Sequence, residues 1–327
     1  LTIPALLARL GRDREALAIL HSLGQEGFLS QAGMRWALDL GYLGVYATLE
    51  DPAYLEEARA AFTRAQEGVE ASGLAILAMP VMHVDETSLR VNRKNHWIHV
   101  CSSGDITCKF LHPKRGREAI DAIGVIPRYN GVVIHDCWAS YLAYDHCDHG
   151  LCGSHLLREL TFIVDANGYA WAKNMKRLLQ QTCRRVAKRK RKKLTQTEYK
   201  NLQKRYRNIL TRGEKELPPI PPRQNGKRGR VAKSDAHNLW ERLKQHETAV
   251  LLFAKLSHVA FTNNRAERDF RMSKVKQKIS GCFRVKKYAE AYCRISSYLQ
   301  TMSNRGYNPL VAIQMALSGQ IYAVGGE

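Results

Sequence analysis

Residues 131–136 read Gly-Val-Val-Ile-His-Asp, an apolar run of the kind expected for a strand buried on both faces, ending in an acid. Upstream, Val81-Met82-His83-Val84 follows Pro80 and leads into Asp85-Glu86-Thr87, so a second apolar run is also expected to end in a carboxylate. Between the two lie NHWIHVCSS and ITCKFLHP, separated by Gly104-Asp105, a pair with the right chemistry for a hairpin turn. These segments predict a three-stranded meander. REAIDAIGVI then reads as a helix, and CWASYLAY, directly after Asp136, as another. The expected product is an α/β layer in which Asp85 and Asp136 end on neighbouring strands.

Composition bounds the possible functions. The chain has 327 residues, is 45% hydrophobic and 25% charged, and carries a formal net charge of +21. That describes a folded chain of two or three domains, not a disordered one. So basic a surface attracts polyanions, and nucleic acid is the expected partner. No apolar run approaches the roughly 20 residues of a membrane span, and the chain does not open on a charged-then-apolar leader. No membrane partner is expected, and the expected location is cytoplasmic, with nucleoid association during activity. The eight cysteines include no C-x-x-C pair and are expected to be small buried hydrophobes.

A third acid lies in residues 262–284, TNNRAERDFRMSKVKQKISGCFR. On one continuous helix, Glu267, Arg271, Lys274 and Lys278 would share a face and Asp269 would point elsewhere. Asn263 or Asn264 is placed to cap the start and Gly281 to end the helix. Alone, the segment reads as a solvated face with a Glu-Arg pair. Combined with Asp85 and Asp136, Glu267 suggests three carboxylates converging in a basic protein. Hard oxygen donors select Mg2+ or Mn2+ over zinc, and two such ions about 4 Å apart would clamp the attacking and leaving oxygens of a phosphodiester.

Six strings carry a resemblance in one order: HVDETSLRV, HWIHVCSS, HPKRGREAI, GVVIHDCWASY, LCGSHLLREL and NNRAERDFRMSKVKQKISGCFR. Over roughly residues 76–305 the chain resembles the catalytic region of insertion sequence 66 family transposases. The resemblance implies an RNase H-like mixed-sheet core with an Asp-Asp-Glu triad at Asp85, Asp136 and Glu267. Alternation alone does not separate Asp85 from Glu86; the family pattern selects Asp85. It also implies two Mg2+ (or Mn2+) ions, cleavage at transposon ends, strand transfer into target DNA, a homo-oligomer on DNA, and accessory transposon proteins. Thr262 stands where the family usually has Asp, from which a lost cap or supporting contact is expected, not a lost metal ligand. Residues 1–75 do not look like the family's zinc-binding and helix-turn-helix region. The chain is therefore expected to be a truncated or fused copy. The rival functions are a catalytically silent DNA-binding remnant and an RNase H-like nuclease that cuts without joining.

Two further clusters call for assignment. His135, Cys137, His146, Cys147, His149, Cys152 and His155 crowd into 21 positions, but without paired metal-binding arms, so zinc is not expected. Cys152-Gly153-Ser154-His155 is similar to the C-x-x-H string that follows the second Asp in several RNase H-like transposases, which implies core geometry or contact near the cleaved strand. Residues 173–233 hold 22 Lys or Arg against Glu198, Glu214 and Glu216, so +19 of the net charge is local. RRVAKRKRKK and YKNLQKRYRNIL are expected to be helical with basic residues on most faces and little burial. LPPIPPRQNGKRGR reads as a loop. Such a segment suits the DNA backbone. The expected DNA-contacting residues are Arg271, Lys274, Lys278, Arg115, Arg158, Lys190 and Arg191. The expected division is a helical region at 1–75, possibly tetratricopeptide-like; the first part of the core at 76–165; a basic helical insertion at 166–234; core completion at 235–305; and a tail at 306–327. A helix from Ser234 or Asp235 to about 256 should deliver the chain to Glu267, and YAEAYCRISSYLQTM should pack as a helix on the sheet.

Overall fold

A computed structural model describes residues 75–220, 231 and 233–317. The tetratricopeptide-like reading, and most of the proline- and glycine-rich loop expected near 217–230, lie outside these residues. The chain forms two compact units, one made of Met79–Glu86 and Lys114–Met272, the other including Thr87–Pro113 and the residues from Ser273 onward. The first strand, β1 (Val81–Val91), passes from one unit into the other.

After β1, the two-residue turn Asn92-Arg93 has φ of 47° and 62°, left-handed at both positions as a tight hairpin requires. It leads into β2 (Lys94–Ser103). Gly104, at φ 52°, and Asp105 then turn the chain into β3 (Ile106–His112), with Ser103 paired to Ile106. The expected meander is present. The short helix α1 (Arg117–Ile123) stops at Gly124, which is left-handed at φ 72°. Next come β4 (Val132–His135), a single turn α2 (Ala139–Leu142), and β5 (Asp148–Leu151).

The sheet order is β3-β2-β1-β4-β5. β1 pairs with β4 in parallel at Val81–Val132, Met82–Val133 and His83–Ile134, β4 pairs with β5 in parallel, and β2 with β3 antiparallel. This mixed five-stranded sheet with many helices is the RNase H-like arrangement expected for the core. Three expectations need correction. Asp85 does not end its strand, because β1 continues to Val91; it lies just past the last β1–β4 pair. CWASYLAY supplies only the one turn of α2. β5 was not foreseen, because DHGL is too short and too polar to signal a strand by pattern.

In the unit containing Asp136, the helices are α3 (Gly153–Asn167), α4 (Ala170–Lys188), α5 (Gln196–Glu214), α6 (Asp235–Gln245), α7 (Glu247–Lys255) and the short α8 (Asn264–Asp269). The basic segment does not form helices charged on most faces. α4 buries Trp171, Met175, Leu178, Leu179 and Val186, and α5 buries Tyr199, Leu202, Tyr206 and Leu210, all within one core that also holds Ile134 and Leu156. Apolar residues three and four apart form that stripe, and the dense basic composition masked it. Two buried polar tips are matched: the Trp240 indole N–H donates to the Leu210 carbonyl at 2.8 Å and the Tyr206 hydroxyl to the Leu243 carbonyl at 2.8 Å. Ser234 caps α6, its hydroxyl accepting from the His237 N–H. The helix expected to run to 256 is broken at His246 into α6 and α7.

In the other unit, α9 (Arg271–Ser280) ends before Gly281, left-handed at φ 67°, and is followed by α10 (Lys286–Asn304) and α11 (Pro309–Leu317). α10 packs on β3 as expected: the Lys109 N–H donates to Ser297 Oγ at 2.8 Å and the Thr107 N–H to Thr301 Oγ1 at 3.1 Å. Cys101, Cys108, Cys147, Cys152 and Cys293 are buried, while Cys282 is exposed and Cys137 and Cys183 are half-buried. No helix among the described residues is long and apolar enough to cross a membrane.

Candidate active site

Parallel pairing of β1 with β4 brings Asp85, two residues beyond the His83–Ile134 pair, toward the end of β4, which Asp136 directly follows. Both are half-buried. Asp85 accepts the N–H of Glu86 at 2.8 Å and Asp136 accepts the N–H of Trp138 at 3.1 Å. Burial, reinforced by Glu86, Asp136 and Glu267, pushes the Asp85 carboxyl up to about 7. Asp85 therefore lies within electrostatic reach of three other acids.

Glu86 takes another path. It is buried, accepts the Tyr141 hydroxyl, and is bridged by Arg115 through Nε at 2.8 Å and Nη2 at 2.7 Å. The Arg115 guanidinium also lies 4.3 Å from the centre of the Trp138 ring. Burial raises the Glu86 carboxyl despite the opposing hydrogen bonds from Tyr141 and Arg115. Neighbours on one strand thus separate by partner: Glu86 is held by a cation and a phenol, whereas Asp85 faces other acids. Arg115 is committed to Glu86 and Trp138 in this structure.

Glu267 reaches the region on α8, placed there by a residue that the sequence reading treated only as a cap. Asn263 is 1% exposed and makes no side-chain cap bond. Its Oδ1 accepts from His83 Nδ1 at 3.0 Å and its Nδ2 donates to the Val84 carbonyl at 2.8 Å. Its backbone N–H donates to Cys152 Sγ at 3.1 Å. One amide therefore ties β1, immediately before Asp85, to the starts of α3 and α8. The amide orientation fixes the tautomer, since an oxygen acceptor requires the proton on His83 Nδ1. Burial holds the His83 imidazole below its ordinary value. The available signal was an Asn at the entrance to a helix that also bears the third acid, but nothing local says that such an Asn is buried.

Cys152 precedes α3 and His155 occupies its third position, the spacing at which a capping residue meets the side chain one turn on. Gly153 makes the docking possible. A Cβ there would lie 2.2 Å from Phe261 Cζ, and its N–H donates to the Phe261 carbonyl at 2.7 Å. His155 Nδ1 stands 3.8 Å from Glu267 Oε1; both atoms are shielded from solvent without a hydrogen-bond partner. Among the described residues, Cys152, His155 and Glu267 are the one group of three metal-ligating side chains whose donor atoms lie within 4.8 Å of one another. Asp85, Asp136 and Glu267 do not form so tight a set.

The remaining Cys and His residues of the expected cluster have protein partners. The Cys137 N–H donates to His135 Nδ1 at 3.0 Å, leaving Nε2 to donate to His149 Nδ1 at 3.0 Å, and His149 Nε2 to donate to the Tyr144 carbonyl at 2.9 Å. His135 is fully buried, and burial next to His149 and His246 pushes it down to about 3. His146 Nε2 bonds the Ile126 carbonyl at 3.2 Å and Cys147 Sγ the Tyr144 carbonyl at 3.4 Å.

The cationic row after Glu267 is not one helix face. Phe270 interrupts it, so Glu267 ends up on α8 while Arg271, Lys274 and Lys278 belong to α9. Asp269 is buried. Arg271, Lys274 and Lys278 are exposed, as are Arg158 on α3 and Lys190 and Arg191 in the turn after α4.

Comparison with known families gives a match over residues 55–291 to the model described as Transposase IS66 family. A search of curated proteins found no match. The matched span includes Asp85, Asp136, Cys152, His155, Asn263 and Glu267 and covers well over half of the chain, which therefore belongs to the IS66 family of transposases.

Proposed function

We propose that this chain cuts DNA at transposon ends and joins the freed 3'-hydroxyl to target DNA, using Asp85, Asp136 and Glu267 to hold two divalent metal ions. The observation that carries this reading is the placement of Asp85 just past the last β1–β4 pair and of Asp136 directly after β4, with the entry of the Glu267 helix tied to β1 through Asn263. Carboxyl groups crowded in a basic chain suit a hard cation. The donor chemistry fits, because these side chains offer oxygen alone and Glu267 Oε1 has no hydrogen-bond partner. When bound, Mg2+ or Mn2+ would activate the attacking oxygen and stabilise the leaving one.

The chain's own groups do the rest. Arg115 and Tyr141 keep Glu86 occupied, so that Asp85 is the acid left to the site. Asn263 fixes the entry of α8 relative to β1. Arg271, Lys274, Lys278, Arg158, Lys190 and Arg191 supply exposed positive charge for DNA phosphates, with the exposed basic faces of α4 and α5 adding to it. Arg115 would join them only by leaving Glu86. Assembly as a homo-oligomer on paired ends, with accessory proteins, completes the proposal. The expected division of the chain also stands as part of it, except that the basic helices share the core of the acid-bearing unit.

The test is a strand-transfer assay with a precut end in Mg2+. Joined product is expected from the native chain and not from Asp136→Asn. Hydrolysis without joining would make the chain a nuclease. DNA binding without any Mg2+-dependent nicking would make it a silent remnant.

A further inference from the structure

We infer that Cys152, His155 and Glu267 form a second metal site, one that takes a zinc-class ion and in doing so draws Glu267 out of the oxygen-donor set. The inhibitory consequence rests on the proposed role of Glu267; the binding site itself does not. Three donors of different chemistry, a sulfur, an imidazole nitrogen and a carboxylate oxygen, lie within 4.8 Å of one another. Thiolate and imidazole favour zinc, cobalt and cadmium over Mg2+. Zinc–ligand bonds of roughly 2.1 Å at a tetrahedral angle place two light-atom donors about 3.4 Å apart. The 3.8 Å between His155 Nδ1 and Glu267 Oε1 is within a few tenths of an ångström of that separation.

Those two atoms are buried and have no hydrogen-bond partner, an arrangement that costs stability unless something fills it. The sulfur has the environment of a ligating thiolate. It is buried, and the Asn263 N–H donates to it at 3.1 Å. Binding releases the Cys152 thiol proton to solvent and leaves a fourth tetrahedral position open. The neighbouring His135 and His149 offer no such site, because their nitrogens are all used by protein partners.

A zinc ion held by Glu267 takes one of its oxygens and places a second positive charge beside the oxygen-donor site. Zinc should therefore suppress Mg2+-dependent nicking, and excess Mg2+ should restore it only weakly.

The experiment is titration of the full chain with Co2+, without DNA or Mg2+. A sulfur-to-cobalt charge-transfer band saturating at one ion per chain is expected. Cys152→Ser should abolish it, and Glu267→Gln should keep the band but weaken binding roughly tenfold. In parallel, the zinc concentration that halves each variant's own Mg2+-dependent rate should rise roughly tenfold or more in Cys152→Ser. Should that variant fail to fold, zinc-edge X-ray absorption of the native chain decides: one sulfur with nitrogen and oxygen donors is expected. No band in the native chain, a band that survives Cys152→Ser, or a zinc shell of several sulfurs or none would overturn the site. Its failure alongside intact Mg2+-dependent joining would leave the proposed function standing, whereas a one-ion cobalt band in a chain without DNA activity would leave the site standing.

Discussion

The His135–His149 pair and the Cys152–His155–Glu267 group draw their histidines from one short stretch, residues 135–155, and end in opposite states. In the first, every ring nitrogen has a partner: a backbone N–H, a second imidazole and a carbonyl. In the second, His155 Nδ1 and Glu267 Oε1 face each other at 3.8 Å and neither atom has a hydrogen-bond partner. A closed chain of hydrogen bonds is structure, since any ligand would have to break it. An open set of donors is capacity. The difference between histidines that hold a strand end and a histidine that can hold something else is satisfaction, not composition.

That contrast can be broken most severely at Glu267. Glu267→Gln should lower Mg2+-dependent nicking roughly a thousandfold, about 4 kcal/mol of transition-state stabilisation, with little change in the unfolding midpoint. His149→Leu should do the reverse, and equal loss of activity in the two would erase the distinction. Next in size is Asn263→Ala, which strands His83 Nδ1 and the Val84 carbonyl; a loss of about 3 kcal/mol in denaturant unfolding is expected. His149→Leu leaves the His135 Nε2 proton without an acceptor and should cost about 2 kcal/mol by the same measurement, while the Co2+ spectrum is unchanged.

The last effect depends on pH. Asp85 titrates near 7 in the folded chain and near its ordinary value of 3.8 when unfolded. Between those values the folded state binds more protons, so metal-free stability falls as pH rises through that window. Asp85→Asn removes this penalty. It should stabilise the metal-free chain by up to about 4 kcal/mol at pH 8 and by nothing below pH 4. A gain that persisted at low pH would mean that it does not come from the cost of ionising the buried Asp85 carboxyl.

Much of the sheet was legible because its strands obey local rules: GVVIHD is apolar enough to be buried, and Gly104-Asp105 turns where a hairpin must. β5 was not, because four residues beginning with Asp carry no periodicity. The amphipathic stripe of α4 and α5 was hidden by the lysines and arginines around it. In the site, the acids were named from a family likeness, but their surroundings were not. Nothing in VDET says that Glu86 will be taken by Arg115 and Tyr141, nor that Asn263 will lie buried instead of capping. Those outcomes depend on which side chains arrive from distant positions, which a local pattern does not encode.

Asn263 meets His83 across 180 positions of chain. Once that amide is docked, the polymer between β1 and α8 behaves as a closed loop, and the free energy of closing a loop grows only with the logarithm of its length, about 0.6 kcal/mol for each doubling. The span between the second acid and the third is therefore held twice, by the amide at Asn263 and by the core that α4 and α5 share with Ile134.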